Sequence, residues 1–270
     1  MSALVPPASP GDARKFVLGR RLLELDSAAP PAQAVALDDV LAMAVGAGST
    51  PPTLRVWQCG LALVAPRRCL RGLPQGSLAG WPLCGRSSGG EAVVLGPGVV
   101  CVSLFLPLVK GTPALEQAYL LWLNGVCAGI QLAYGVAVSS GRVPGAFCDG
   151  RYNAVVDGRK LGGTAQSRRH GSVVVHGCLL IDVDLAIYCR TLDVLAGRNR
   201  PASADARHIV ALRQVAGRVI ELLELADAIT EGFAATGLSS PETGWDLPRP
   251  DELDRARALA GATSVGPAPG

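Results

Sequence analysis

The sequence predicts an α+β fold, a mixed and largely antiparallel sheet flanked by helices, and three observations predict it. Strand-length apolar runs at residues 99–109, 152–156 and 172–183 are punctuated by turn signals, of which Asp157-Gly158 is the strongest. Helical stripes are interspersed among these grouped strands. The final third of the chain reads as helix. An apolar fraction of 49% is ample for a core. Aromatics make up only 4%, so Val, Leu and Ala must do most of the packing.

The elements follow in order. Residues 1–13 are rich in Pro, Ala, Ser and Gly and are expected to be disordered. A short strand is expected at 20–25. A helix is expected at 31–45, with proline at its start and Leu37, Leu41, Ala44 and Val45 at helical spacing. Pro51-Pro52 breaks the chain before the strand Thr53-Leu54-Arg55-Val56-Trp57. Residues 65–80 read as loop. Gly96-Pro97-Gly98 is a turn, and the apolar run 99–109 suits a buried strand. Thr112-Pro113 opens a helix that carries Leu115, Tyr119, Trp122 and Val126 on one face. Residues 135–139 look strand-like. A helix is expected over 204–234 on the stripe Ile209, Leu212, Val215, Val219, Leu222, Leu223, Ala226 and Ile229. A short helix at 250–260 and a tail at 262–270 close the chain. The expected organisation is a catalytic domain over 14–235 followed by a short helical extension over 236–261.

A net charge of +3, with no long Lys/Arg run, gives no footprint for nucleic acid. The eight cysteines are scattered singly, with no Cys-x-x-Cys and no zinc-finger spacing, so no metal site is expected. Val5-Pro6-Pro7 breaks any apolar helix after Met1. The thiols are therefore read as reduced and cytoplasmic. Residues 117–141 carry no charge, but Asn124, Gln131 and several glycines make them a core helix followed by a strand, with no membrane span.

Lysine is rare here: three of 25 basic residues. One of the three, Lys160, sits in Gly158-Arg159-Lys160-Leu161-Gly162-Gly163-Thr164-Ala165-Gln166. A compact ammonium can act as a point charge or a tunable amine, which a guanidinium cannot. Read alone, Lys160 is either a site residue or a surface lysine after a hairpin. Arg86-Ser87-Ser88-Gly89-Gly90 is either a turn or a loop whose glycines let backbone approach a carboxylate or phosphate gripped by the arginine. His176-Gly177 is either a hydrogen-bonded core pair or part of a site. Cys148 lies in a turn-rich loop twelve residues before Lys160, where a nearby cation could favour the thiolate.

Four motifs in chain order, Leu37–Leu41 with Pro51–Trp57, Arg86–Gly90, Gly158–Gln166 and His176-Gly177, together resemble the lipoate–protein ligase and octanoyltransferase family, which shares a biotin/lipoate protein ligase catalytic fold. Leu37-Asp38-Asp39-Val40-Leu41 resembles its opening helix, and His176-Gly177 with Leu179-Leu180 its His-Gly-x-Leu strand. The resemblance implies that Lys160 polarises an acyl carbonyl or holds an acyl-adenylate phosphate. It implies that Gly89, Gly90, Gly162 and Gly163 line an acyl slot with Arg86, Ser87, Ser88 and Thr164, and that His176 and Gly177 shape the pocket. Glu91 departs from the expected small or basic residue, and an anion there would repel a phosphate.

Three chemistries follow from the resemblance. In the first, Cys148 takes an octanoyl group from acyl carrier protein as a thioester and passes it to a lysine of a lipoyl-domain protein. That acceptor would be a glycine-cleavage H protein or a 2-oxoacid dehydrogenase subunit, and no cofactor is needed. In the second, the protein is an ATP- and Mg²⁺-dependent lipoate ligase, working with an accessory subunit. In the third, it binds acyl groups or lipoyl domains without catalysis.

Overall fold

The computed structural model describes residues 16–71, 77–78, 80–148, 150–194, 204–241 and 244–263. The expected disordered segment at 1–13 lies outside them, as do residues 264–270 of the expected tail. β1 (Arg20–Glu24) lies parallel to β2 (Thr53–Trp57), with α1 (Pro31–Gly46) as the crossover. Next come β3 (Ala62–Pro66), β4 (Ser77–Leu78), β5 (Trp81–Arg86), β6 (Val93–Leu95), β7 (Val99–Pro107) and α2 (Leu115–Tyr134). β8 (Ser139–Gly141), β9 (Asn153–Val156), β10 (Arg159–Arg169) and β11 (Ser172–Leu180) follow. The chain then turns helical: α3 (Leu185–Asp193), α4 (Leu212–Ala216), α5 (Leu222–Ala235) and α6 (Pro250–Thr263).

The large sheet runs β1-β2-β7-β11-β10-β9-β8 and is antiparallel except at β1–β2. The small sheet runs β4-β5-β3-β6. The mixed, largely antiparallel α+β architecture read from the sequence is therefore present. Several elements differ from expectation, for local reasons. β5 was missed because Pro82 and Gly85 look like breakers. Pro82 lies outside the register with β3, so its missing N–H costs no bond there. The strand expected at 135–139 starts at Ser139, because Gly135 is the left-handed C-cap of α2, with φ of 65°. The lysine motif, expected between strands, is itself strand β10, and β11 runs unbroken through His176-Gly177. The single helix expected over 204–234 is instead a 3₁₀ turn (Ala206–His208), an extended stretch, α4 and α5. Gly217 ends α4 in a left-handed cap, and Val210 N–H is spent on the carbonyl of Lys160 at 2.9 Å.

Strand alternation divides the core. Val100, Val102 and Leu104 of β7, with Val173, Val175 and Leu179 of β11, face Trp122 and Ile130 of α2 and Ile229 and Phe233 of α5. Gly125, Gly129 and Gly232 let α2 and α5 approach closely; a Cβ at Gly232 would lie 2.0 Å from the Gly125 carbonyl oxygen. The uncharged stretch around α2 is thus core helix, and no described helix is long and apolar enough to cross a membrane. The opposite face of the sheet packs Cys101, Cys178 and Leu180 against the small sheet, Phe147 and α3. α1 and α6 enclose a third cluster around Leu37, Leu41, Phe105 and Ala256. There Arg20 pairs with the buried Glu252 at 2.6 Å.

Gly177 shows how tightly the sheet meets α2. A Cβ at this position would come within 2.6 Å of both the Gly163 carbonyl oxygen and the Trp122 ring. Gly177→Ala is therefore expected to cost about 1–3 kcal/mol of stability by overpacking, measured by denaturant unfolding.

Candidate active site

Alternation along β11 that buries Val175 and Leu179 against α2 turns His176 and Cys178 to the other face. His176 is the centre of a polar network there. Its Nδ1 lies 2.9 Å from Asp38 Oδ2 and its Nε2 lies 2.7 Å from Ser88 Oγ. Asp38 projects from α1. It also accepts from Arg55 at 2.6 Å and from the Ser103 hydroxyl at 2.8 Å. Arg55, wholly buried in the centre of β2, donates from Nε to Glu24 at 2.5 Å. Burial alone pushes the Asp38 carboxyl up. The His176 hydrogen bond and the Arg55 charge outweigh it and hold the group below the usual carboxylate range. Burial alone would lower Arg55, but Glu24 and Asp38 raise it. An ionised Asp38 makes Nδ1 of His176 the N–H donor. In the neutral ring, Nε2 then accepts from the Ser88 hydroxyl.

Ser88 Oγ also accepts from Arg86 Nε at 3.0 Å. The remaining Arg86 nitrogens donate to the carbonyls of Val64, Gly89 and Glu91 at 3.0, 2.8 and 2.6 Å. The expected grip on an anion is not what this geometry shows. The buried guanidinium builds the 86–91 loop around itself.

The Asp157-Gly158 turn, with both residues at positive φ, starts β10 and leads directly into Lys160. Lys160 is fully buried. Its Nζ donates to the backbone carbonyls of Phe147 and Cys148 at 2.6 and 2.9 Å and lies 4.0 Å above the Phe147 ring. Gly163 leaves room for the ammonium, since a Cβ there would lie 3.0 Å from Nζ. The surface-lysine alternative therefore falls away. Lys160 anchors the loop that carries Cys148 and brings positive charge beside it.

Two clefts meet at this loop. The first has about 660 Å³ of empty space including its open mouth. Its walls include Trp57, Val93, Leu95, Cys101, Phe147 and Cys178, so they are chiefly apolar. Arg86, Ser87, Lys160, Gly163, Thr164, His176 and Gly177 also line it. The second, about 490 Å³ measured the same way, is bordered by Gly89, Gly90, Tyr152 and Asn153. Tyr119, stacked on Tyr152 at 4.6 Å between ring centroids, also borders it. Cys148, Thr164 and Ala165 belong to both clefts. Of the remaining expected site residues, Ser88 sits behind the wall against His176. Gly162 packs on the carbonyl of Cys178, where a Cβ would come within 2.4 Å. Burial pushes the Cys59, Cys84 and Cys127 thiols up to about 12, 11 and 12 and raises Cys101 and Cys178 too, so these thiols stay neutral.

Asp38, Arg55 and Glu24 were not picked out as site residues from the sequence. The available signal was a charged Arg55 at the middle of an otherwise apolar strand.

Known proteins share both the sequence pattern and the shape. A profile of the lipoyl protein ligase A/B catalytic domain matches residues 30–234. An octanoyl-[GcvH]:protein N-octanoyltransferase of Kyrpidia tusciae is 37% identical over 56% of this chain and 57% of its own length. The chain thus spans little more than half the length of the curated relative it matches there. An octanoyltransferase LipM of Symbiobacterium thermophilum is 29% identical over 78% of this chain and 84% of its own. Among solved structures, a lipoate-protein ligase A bound with ATP superposes with a TM-score of 0.73, at 16% identity, over 93% of this chain and 97% of its own. That likeness bears on the fold alone. With the matched profile spanning most of the described chain, this protein belongs to the lipoyl protein ligase A/B catalytic domain family.

Proposed function

We propose that the protein transfers an octanoyl group from a carrier protein to a lysine of a lipoyl-domain protein through a thioester on Cys148. The observation that carries this reading is the position of Cys148, lining both an apolar cleft and a second cleft from the Gly89-Gly90 side. An unbranched acyl chain gains about 0.8 kcal/mol for each methylene buried against walls such as Trp57, Val93 and Leu95. The second cleft admits the carrier's arm or the acceptor lysine. The names of the relatives support octanoyl transfer in particular.

The Cys148 thiolate attacks the acyl carbonyl carbon. The C–S bond to Cys148 forms as the donor's own C–S or C–N bond breaks, and the departing atom takes a proton from solvent, leaving as the thiol of acyl carrier protein or the lysine amine of an octanoylated lipoyl domain. A neutral acceptor amine then attacks the thioester, the C–N bond forms as the C–S bond breaks, the amine gives up a proton to solvent and the thiolate is released. Lys160 fixes the 147–148 backbone through its bonds to both carbonyls. Lys160→Met is expected to lower the transfer rate by about 10²-fold, read by acceptor mass, because it removes both carbonyl bonds and the charge.

The ligase reading needs a place for a polyphosphate. The Arg86 guanidinium is committed to its own loop and a carboxylate at Glu91 stands beside the glycines, so these residues do not suit that group. The test is intact-mass analysis of an apo lipoyl domain in three reactions. One contains octanoyl–acyl carrier protein, one an octanoylated H protein, and one octanoate or lipoate with ATP and Mg²⁺. Modification in the first or second, with a mass adduct on Cys148, is the expected result. Modification in the third alone overturns the thioester reading, and modification in none favours a binding role.

A further inference from the structure

Cys148 holds a backbone conformation that non-glycine residues avoid, with φ of 45°. Such a geometry persists only where its surroundings over-determine it. One residue does much of this from across the site. The Glu91 carboxylate accepts from the Cys148 backbone N–H at 3.0 Å, and the Glu91 backbone N–H donates to Cys148 Sγ at 3.4 Å. The third polar group of Glu91, its carbonyl, accepts from Arg86 at 2.6 Å. Glu91 is half-buried and lines neither cleft, so no substrate contact accounts for its orientation. The preceding Gly90 is left-handed, with φ of 92°. A Cβ there would press within 3.4 Å of the Cys148 sulfur and 3.2 Å of Arg86. The sequence thus leaves residue 90 bare and uses the next side chain to reach around to Cys148.

We propose that Glu91 is the positioning residue for Cys148, clasping its amide with the carboxylate and its sulfur with the backbone N–H so that the thiol faces the junction of the two clefts. The inference rests on the acyl-enzyme reading above. It also gives the anion at position 91 a purpose that its mismatch with the family pattern concealed. Through Arg86 and Ser88 the clasp joins the His176–Asp38 network, so the loop and the cysteine are set as one unit.

The test compares Glu91→Ala, Glu91→Asp and Glu91→Gln with the unmodified protein. Two quantities are read: the rate at which Cys148 becomes octanoylated, by intact mass, and amide hydrogen exchange in a peptide spanning 143–150. The glutamine side-chain oxygen can still accept from the Cys148 amide, so Glu91→Gln should acylate within about threefold of the unmodified rate. Alanine has no acceptor, and the aspartate carboxylate is one methylene short. Both should acylate at least tenfold more slowly and exchange the Cys148 amide faster. Should the alanine variant not fold, the aspartate–glutamine comparison carries the same contrast. Unchanged acylation in Glu91→Ala or Glu91→Asp overturns the inference, and so does a glutamine variant as slow as they are. Failure of the unmodified protein to form any adduct at Cys148 instead overturns the acyl-enzyme reading, and the inference with it.

Discussion

Cys148→Ala is expected to abolish adduct formation and lower octanoyl transfer by about 10⁴-fold or more, while leaving the fold intact. No other described thiol lines both clefts. Cys178 and Cys101 also reach the first cleft, but burial raises both and keeps them as neutral thiols. The loss corresponds to about 5 kcal/mol of transition-state stabilisation, which is what removing a nucleophile costs when water is the only replacement. Cys148→Ser is the sharper variant, because an alcohol at the same place is a far weaker nucleophile at neutral pH. An alanine variant that retains transfer from carrier-bound octanoate would sink the thioester mechanism.

Asp38→Ala should produce the largest loss of stability, about 3–5 kcal/mol by denaturant unfolding. The substitution strands a fully buried Arg55 with Glu24 as its one remaining carboxylate and removes the acceptor for His176 and Ser103. Breaking a buried ionic network from one side costs this much because the uncompensated charge stays in the interior. The same network sets an acid limit. Asp38 titrates below its unfolded value, so its contribution is complete above the unfolded carboxylate pKa and is lost as pH falls through the folded one. Thermal unfolding followed from pH 7 down to pH 3 should show the unmodified protein losing stability below about pH 4. Asp38→Ala, already without this contribution, should lose less. Parallel curves for the two proteins would contradict the assignment.

Much of this was legible before the structure. Lys160, Cys148, Ser88 and His176 each stand in a short motif whose glycines or turn signals mark them locally. The sheet-forming runs of β7, β9 and β11 are plain apolar sequences. What escaped is non-local. Asp38 in an apolar helix looks like any helix polar residue until β11 delivers His176 from 138 positions away. Glu91 was read as an anion hostile to phosphate. Its partner is a backbone amide 57 residues later, which no spacing rule foresees. The break between α4 and α5 was missed for the opposite reason. The helical stripe is real on either side, but the left-handed Gly217 cap overrides its continuity there, as the tie from Val210 to Lys160 does ahead of α4.

The two clefts that share Cys148 carry a kinetic consequence. On the proposed acyl-enzyme reading, with the acyl chain in one and every carrier using the other, donor and acceptor must take turns at a single doorway. The enzyme should follow ping-pong kinetics, with parallel double-reciprocal lines as either carrier is varied. Excess acceptor should slow turnover by occupying the entrance before the donor has called.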